Sequence, residues 1–150
     1  MNGRVQFELV TPERLLLSEA VEMVVVPGTE GNFGVLPGHA PLISTIRPGM
    51  IEIYEGQTVT RKIFIVSGIA EVTPERCTVL ADEAASPDTL DLGSIETDLR
   101  DVEGNLPSLR EQVARAADTD CERLLIELHR LEREQAVLQA KLQALGETTR

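Results

Sequence analysis

Residues 27–43 read PGTEGNFGVLPGHAPLI, and seven of these seventeen residues are glycine or proline. Glycine adopts backbone conformations that other residues avoid, and proline fixes its own φ angle. The closely spaced glycines resemble a phosphate-binding loop only superficially, because no Lys-Ser/Thr pair follows and no strand-loop-helix context surrounds them. The stretch therefore predicts a long loop with a determined conformation.

Strand-like runs lie on both sides of this stretch. Val5, Phe7 and Leu9 alternate with polar residues, which is the period of a half-buried strand. Further runs lie at residues 22–26, 50–54, 59–66 and 76–80, separated by short turn signals. The pattern predicts one antiparallel β-sandwich that ends near Ala85.

The remainder of the chain has a helical pattern. Residues 1–87 hold seven of the eight prolines and eight of the eleven glycines. Further on, residues spaced alternately three and four apart form a stripe on one helix face: Cys121, Leu124, Leu128, Leu131, Gln135, Leu138, Leu142 and Leu145. A capping box at Thr119 predicts the start of this helix, and Gly146 its end. We therefore expect a β domain at residues 1–87 and an α-helical domain at residues 88–150.

A less regular helical region, residues 92–117, precedes the long helix. Gly104, Asn105 and Pro107 interrupt it, and residues 108–111 form a second possible capping box. The sequence leaves open whether this region is one kinked helix or two short ones. Because a single leucine stripe cannot bury itself, the long helix must pack on this region, on the sandwich or on another protein.

Composition excludes several functions. Twenty-five acidic against fourteen basic side chains give a net charge of -11, which makes nucleic acid an improbable ligand. The two cysteines, Cys77 and Cys121, form no C-x-x-C motif or Cys/His cluster, so we expect two reduced thiols and no metal site. No apolar run approaches the roughly 18 residues of a membrane span, so any membrane association must come through a partner.

Three segments together resemble the epsilon subunit of bacterial F-type ATP synthases. They are PGxxGxxGVLPGHAPL at residues 27–42, IRPGMIEI at residues 46–53, and FIVSGIAEV at residues 64–72 followed by TVLAD at residues 78–82. Their order and spacing match the family, and the helical region has the family's position and length. The resemblance implies a β + α fold: a ten-stranded sandwich followed by an α-helical hairpin.

The resemblance also implies a function. In this family the sandwich binds the gamma subunit and rests on the ring of membrane c subunits, so that it rotates within the central stalk of a proton-translocating synthase. The subunit performs no bond chemistry. It lies peripherally, through the complex, on the cytoplasmic face of the bacterial inner membrane. The helical hairpin extends toward the alpha/beta catalytic head in one of its states and inhibits ATP hydrolysis there.

The implied ring contact maps to the glycine-rich stretch. Its residues here are Glu30, Gly31, Asn32, Phe33 and His39. The family often carries an acidic residue where Asn32 stands, which puts charge pairing with the ring at this position in doubt. His39 has three possible roles: a catalytic base, for which the sequence offers no companion nucleophile; a hydrogen-bonding residue that fixes the Pro-Gly turn; or an interface residue.

The implied contact with the catalytic head maps to basic residues in one broad sector of the long helix: Arg123, Arg130, Arg133 and Lys141. The resemblance directs them at acidic loops of the catalytic subunit. The alternative is intrahelical pairing, because Glu127 and Glu134 lie four residues after Arg123 and Arg130.

ATP binding is not expected. Some bacterial members bind ATP through a segment Ile/Leu-Asp-x-x-Arg-Ala on the hairpin. Here Leu90 and Asp91 are kept, but Ser94 and Ile95 replace the Arg and Ala, so the bidentate phosphate donor is lost. We therefore expect no cofactor.

Two other functions compete with the stalk subunit. An unrelated β-sandwich binding module with a coiled-coil tail for self-association explains the leucine stripe equally well. An enzyme that uses His39 or the acidic loop as its catalyst comes last, because it requires turnover by the isolated chain.

Overall fold

The computed structural model describes residues 3–148 of the 150-residue chain, with side chains as far as Gly146. The outermost residues of the two predicted domains, at positions 1–2 and 149–150, lie outside the described residues. The ten strands are β1 (Val5–Val10), β2 (Leu15–Val21), β3 (Met23–Gly28), β4 (Gly31–Val35), β5 (Leu42–Ile46), β6 (Gly49–Glu55), β7 (Thr58–Ile65), β8 (Gly68–Val72), β9 (Arg76–Ala81) and β10 (Ala84–Ala85). A 3-10 turn at Pro87–Thr89 follows, and then the helices α1 (Leu92–Arg115) and α2 (Asp118–Thr148).

The strands form one curved sheet in the order β10-β7-β6-β3-β5-β8-β9-β1-β2, with β4 attached to β3 alone. Neighbouring strands are antiparallel except for β1 and β9, which run parallel. The predicted β + α fold, with ten strands and a helical hairpin, is confirmed. The parallel pair is a feature that the sequence did not predict.

One hydrophobic core lies inside the sandwich. The alternation in β1 works as predicted, since Val5, Phe7 and Leu9 are at most 1% exposed while the residues between them reach solvent. Their inward side chains pack with apolar residues from the other strands, among them Val24, Ile51 and Val79. This core holds the hairpins that carry the candidate site.

The prediction of one long loop over residues 27–43 is wrong. Residues 31–35 form β4, and β5 begins at Leu42, so the stretch holds a tight hairpin, a strand and a short connection. The strand escaped detection because glycine occupies two of its five positions, which leaves Phe33 and Val35 as its only apolar residues. Two inward side chains are too few to produce a visible alternation.

The region 92–117 is one helix and not two, because α1 runs unbroken through Gly104, Asn105 and Pro107. All three residues are exposed. The capping box at Thr119 is not used: the Cys121 N–H donates to the Ala117 carbonyl, and α2 begins at Asp118. Gly146 also lies inside α2, so it does not end the helix.

The leucine stripe of α2 packs against α1. The apolar face of α1 repeats every three or four residues: Ile95, Leu99, Val102, Leu106, Leu109 and Val113. It meets Leu128 and Leu138, which are 9% and 6% exposed, together with the flanking leucines of α2. Gln135, the polar member of the stripe, donates to Glu103 of α1. The stripe is therefore covered within the chain.

The chain divides into two compact units, one up to Thr89 and one from Leu90 onward. The first contains the sandwich and the second the two helices.

Candidate functional site

The β3–β4 hairpin carries four of the residues predicted to contact a partner. Gly28 and Gly31 face each other across the hairpin, which leaves Thr29 and Glu30 as its two-residue turn. Gly31 has φ +133°, a backbone conformation that residues with a side chain rarely adopt, so glycine is required where β4 begins. Glu30, Gly31 and Asn32 are exposed and form the tip of the hairpin.

Phe33 has a different role from its three neighbours. Its side chain is partly buried and packs against the sandwich core. A β-carbon on Gly28 would come within 2.9 Å of the Phe33 Cε1 atom, so glycine at position 28 makes room for the ring. Phe33 therefore anchors the hairpin from the inside, and the other three predicted contact residues are the exposed ones.

The end of β5 supports the hairpin through hydrogen bonds. The Thr29 N–H donates to the Thr45 carbonyl at 3.0 Å, and the two threonine hydroxyls are 2.8 Å apart. The Arg47 guanidinium donates to the Gly28 carbonyl and to the Asn32 side-chain oxygen, each at 2.6 Å. Arg47 was not predicted as a site residue, because nothing in the linear sequence indicates that it reaches Asn32.

His39 lies in the connection between β4 and β5, at the end of β4 that is away from the hairpin turn. Its Nδ1 is 2.6 Å from the Ala40 carbonyl, and because a carbonyl only accepts, this nitrogen carries the proton. The His39 N–H also donates to the Leu36 carbonyl, and the adjacent Gly38 N–H to Pro74. In the described part of the chain no side chain hydrogen-bonds to the ring as a nucleophile or acid would. The geometry fits the turn-fixing role.

A row of apolar side chains lies on the outer face of the sheet. Ile69 of β8 is opposite Leu80 of β9, Leu80 is opposite Val10 of β1, and Val10 is opposite Leu15 of β2. Ile69, Leu80 and Leu15 are 45%, 51% and 55% exposed. We call Val10, Leu15, Ile69 and Leu80 the outer apolar row. The row could not be predicted from the sequence, because it depends on the pairing of β1 with β9, which joins two strand pairs that are far apart in sequence.

The basic residues of α2 divide into two pairs. Arg130 lies between two carboxylates, Glu127 at 2.6 Å and Glu134 at 3.6 Å. Its hydrogen bond to Glu127 lowers the pKa of that carboxyl and raises the pKa of Arg130. Arg123 contacts Asp120 at 3.9 Å instead of the predicted Glu127.

Arg133 and Lys141 differ from these two. Among the described residues, no ion pair or side-chain hydrogen bond involves either of them. Intrahelical pairing therefore accounts for two of the four basic residues. The other two keep their donors available for a partner.

The segment compared with the ATP-binding motif begins just before α1. Ser94 is exposed on the first turn, whereas Ile95 is 6% exposed and packs in the seam between the helices. Position 95 therefore contributes to helix packing and presents no polar group.

The described residues hold no cluster of His, Cys, Asp and Glu that could bind a metal ion. Cys77 is fully buried and Cys121 is partly exposed. None of the helices in residues 3–148 is both long and apolar enough to cross a membrane.

Comparisons with known proteins identify the family. Residues 4–87 match the sequence model of the "ATP synthase, Delta/Epsilon chain, beta-sandwich domain" family. The "ATP synthase epsilon chain" of Rhodospirillum centenum is 50% identical over 129 residues, which are 85% of each chain. That of Rhodospirillum rubrum is 52% identical over 111 residues, 74% of this chain and 83% of the relative.

A solved structure agrees on the fold. A chain in the cryo-EM structure of the Euglena gracilis mitochondrial ATP synthase, OSCP/F1/c-ring in rotational state 1, aligns with a TM-score of 0.73 at 20% identity. The alignment covers 97% of this chain and 83% of that one. The relatives are named as one chain of a synthase, which confirms that this chain is a non-catalytic subunit and not a separate enzyme or an unrelated binding module. The protein belongs to the ATP synthase epsilon chain family.

Proposed function

We propose that this subunit lies in the central stalk of a proton-translocating F-type synthase and transmits rotation between the c-subunit ring and gamma. The outer apolar row carries this proposal, because it gives the sandwich a docking face in addition to the hairpin tip. A part that transmits torque needs two separate attachments. The complex holds the subunit peripherally at the cytoplasmic face of the bacterial inner membrane.

Gamma binds the outer apolar row. Contiguous exposed apolar side chains in a folded chain are typical of protein interfaces. Ile69, Leu80 and Leu15 each have about half of their surface left to bury, so each contributes on the order of 1 kcal/mol on docking. Because the row crosses four hydrogen-bonded strands, force applied to it is spread over the sheet.

The ring contacts the tip of the β3–β4 hairpin. Glu30, Gly31 and Asn32 are exposed there, while Phe33 anchors the hairpin in the core. His39 lies beyond the far end of β4 from this tip, where its Nδ1 donates to the Ala40 carbonyl and fixes the connection to β5. A tip held by a rigid sandwich keeps its position when the ring applies lateral force.

The helical unit contacts the alpha/beta head when it extends. Arg133 and Lys141, which lack ion-pair partners among the described residues, supply its positive charge to acidic loops of the head. An extended hairpin at that position inhibits ATP hydrolysis. The unit exchanges one set of packing contacts for another, as two-state regulatory elements do.

The decisive experiment removes the outer apolar row. The double substitution Ile69→Ser and Leu80→Ser should lower affinity for the epsilon-free catalytic head with gamma by at least about tenfold, since two half-buried apolar contacts are lost. Leu92→Ser is the matched control, because Leu92 is 52% exposed and lies in the helical unit. Affinity is measured by biosensor titration, after circular dichroism shows an unchanged fold. Equal affinities for both variants would overturn the docking face.

A further inference from the structure

Arg47 connects β5 to the β3–β4 hairpin through three hydrogen bonds. Its backbone N–H donates to the Pro27 carbonyl at 3.0 Å. Its Nη1 donates to the Gly28 carbonyl and its Nη2 to the Asn32 Oδ1, each at 2.6 Å. One side chain thus reaches both strands of the hairpin.

β4 has little other support. It pairs with β3 alone, so its second edge is unpaired. Among the described residues, Asn32–Arg47 is the one hydrogen bond from β4 to a side chain outside the hairpin. Phe33 holds the strand from the inside, but it lies on the opposite face from Asn32 because side chains alternate along a strand.

We propose that Arg47 is a positioning residue, which fixes the hairpin in the conformation that presents Glu30 and Gly31 to the ring. This inference rests on the proposed ring contact of the hairpin tip. The planar guanidinium suits the role, because its two terminal nitrogens donate in fixed directions to two acceptors at once. A lysine has one terminal nitrogen and cannot reproduce that fork.

We call the two side-chain hydrogen bonds of Arg47, to Gly28 and to Asn32, the clamp. The clamp also gives Asn32 a specific role. Its side-chain oxygen is the acceptor for Arg47, so Asn32, although it is exposed at the tip, contributes to the ring contact by holding Arg47 and carries no charge of its own. Asn32 is neutral, and no ion pair among the described residues neutralises Arg47. An aspartate at position 32 would strengthen the clamp by making its hydrogen bond charge-assisted on both sides.

Hydrogen exchange on the isolated full chain tests the clamp directly. In Arg47→Ala the amides of β4 should exchange about five- to tenfold faster than in the wild type, while those of β9 stay unchanged. Asn32→Ala should give a smaller increase of the same kind, and adding it to Arg47→Ala should have no further effect. Arg61→Ala is the matched control, since Arg61 is an exposed arginine of the sandwich that contacts Glu19. Unchanged β4 exchange in Arg47→Ala would overturn the clamp.

Reconstitution tests positioning. Epsilon-free synthase in membrane vesicles is titrated with each full-length chain, and ATP-driven proton pumping is recorded. Arg47→Ala should need about tenfold more protein for half-maximal recovery, Arg47→Lys about threefold more, and Asn32→Asp no more than the wild type. In Arg61→Ala the requirement should not change.

The outcomes separate this inference from the proposed function. If the wild type fails to restore pumping, the proposed function fails. If the wild type restores pumping and Arg47→Ala does so at the same concentration, the positioning role of Arg47 is overturned while the proposed function stands. Arg47→Lys and Asn32→Ala supply the same test should Arg47→Ala fold poorly.

Discussion

The backbone carbonyl of Leu80 lies in the space that a β-carbon on Gly68 would occupy, and the Ala81 Cα is 2.9 Å from the same position. β8 begins here directly against β9, with Gly68 opposite Ala81. Both obstructing groups are backbone atoms of a paired strand, so neither moves without breaking the ladder. We expect Gly68→Ala to lower the free energy of unfolding of the sandwich by about 3 kcal/mol. Urea denaturation measures the change, and a loss within about 0.5 kcal/mol would contradict it.

Gly104 and Pro107 provide the opposite case. A β-carbon on Gly104 would meet nothing within 4 Å, and Pro107 leaves the Glu103 carbonyl without its helical donor. We expect Gly104→Ala to stabilise the helical unit by about 1 kcal/mol and Pro107→Ala by about 2 kcal/mol. Thermal unfolding followed by the helical circular dichroism signal measures both. A lower melting temperature in either variant would contradict this prediction and would show that the native residue is needed for the packing of the two helices.

These two residues also explain what sequence reasoning missed in the helices. The apolar residues of α1 that face α2 repeat from Ile95 to Val113 as regularly as the leucine stripe of α2. Helix-breaking residues suggested an interruption, but Gly104 and Pro107 lie on the exposed face and leave the seam intact. Packing of one continuous apolar face outweighs a local propensity cost of a few kcal/mol.

Strands were predicted where an apolar alternation is long, as in β1, and missed where it is short or reversed. In β5 and β8 apolar residues such as Ile43 and Ile69 point outward, so neither strand has an alternation of apolar and polar residues. Outward apolar residues break the alternation on which strand prediction depends. In β8 the residue responsible is Ile69, a member of the outer apolar row for which we propose a docking role.

Cys77 and Cys121 should differ in reactivity. Burial raises the pKa of the Cys77 thiol to about 12 from an ordinary value of 9.0, so its reactive thiolate is scarce at neutral pH. Cys121 is partly exposed on α2. We expect a disulfide reagent at pH 8 to label one thiol per folded chain and two in urea. In Cys121→Ser the folded chain should stay unlabelled, and rapid labelling of that variant would contradict the buried position of Cys77.

The same burial makes stability depend on pH in the alkaline range. Below pH 9 the Cys77 thiol is protonated in both the folded and the unfolded chain, so the full stability from burying this thiol is present. As pH rises from 9 toward 12 the unfolded chain loses the proton and the folded chain keeps it, so stability falls by up to about 1.4 kcal/mol per pH unit. Cys77→Ala should remove this slope. Denaturation midpoints of the two chains at pH 8 to 10.5 provide the comparison.

The candidate site could be predicted in part. The sequence located the glycine-rich stretch, but as a loop instead of a hairpin, and it located the basic residues of α2. It could not find Arg47, which is fifteen residues from its partner Asn32 and joins it only after β3, β4 and β5 have assembled. Nor could it separate Arg130 from Arg133, because which carboxylates an arginine contacts depends on side-chain conformations.

ATP should bind weakly or not at all to the isolated subunit. Ser94 offers no cation and Ile95 is buried between the helices, so the segment holds no guanidinium that could donate to a phosphate through two nitrogens at once. Calorimetric titration with ATP measures the affinity, and a micromolar dissociation constant would contradict the expectation. Ser94→Arg should raise the affinity measurably. Thr97→Arg, which adds the same charge one turn away, is its control.

Arg133 and Lys141 should control ATP hydrolysis if the helical unit inhibits the catalytic head. Both are outside the ion pairs of the described helices, whereas two carboxylates already offset Arg130. We expect Arg133→Ala with Lys141→Ala to raise hydrolysis by the assembled complex about threefold, approaching the rate of a complex whose subunit ends after Thr89. Arg130→Ala should raise the hydrolysis rate less, because Glu127 and Glu134 already neutralise the charge of Arg130.

The controls divide the possible outcomes of this measurement. If the complex with the shortened subunit hydrolyses ATP no faster than the wild type, the helical unit does not inhibit, and the sandwich retains only its coupling role. If the shortened subunit raises the rate but the Arg133/Lys141 variant does not, the inhibitory contact lies elsewhere on the helices. An increase that is larger for Arg130→Ala than for the double variant would mean that the ion pairs of Arg130 open when the unit extends, so that charge neutralised in one state becomes available in the other.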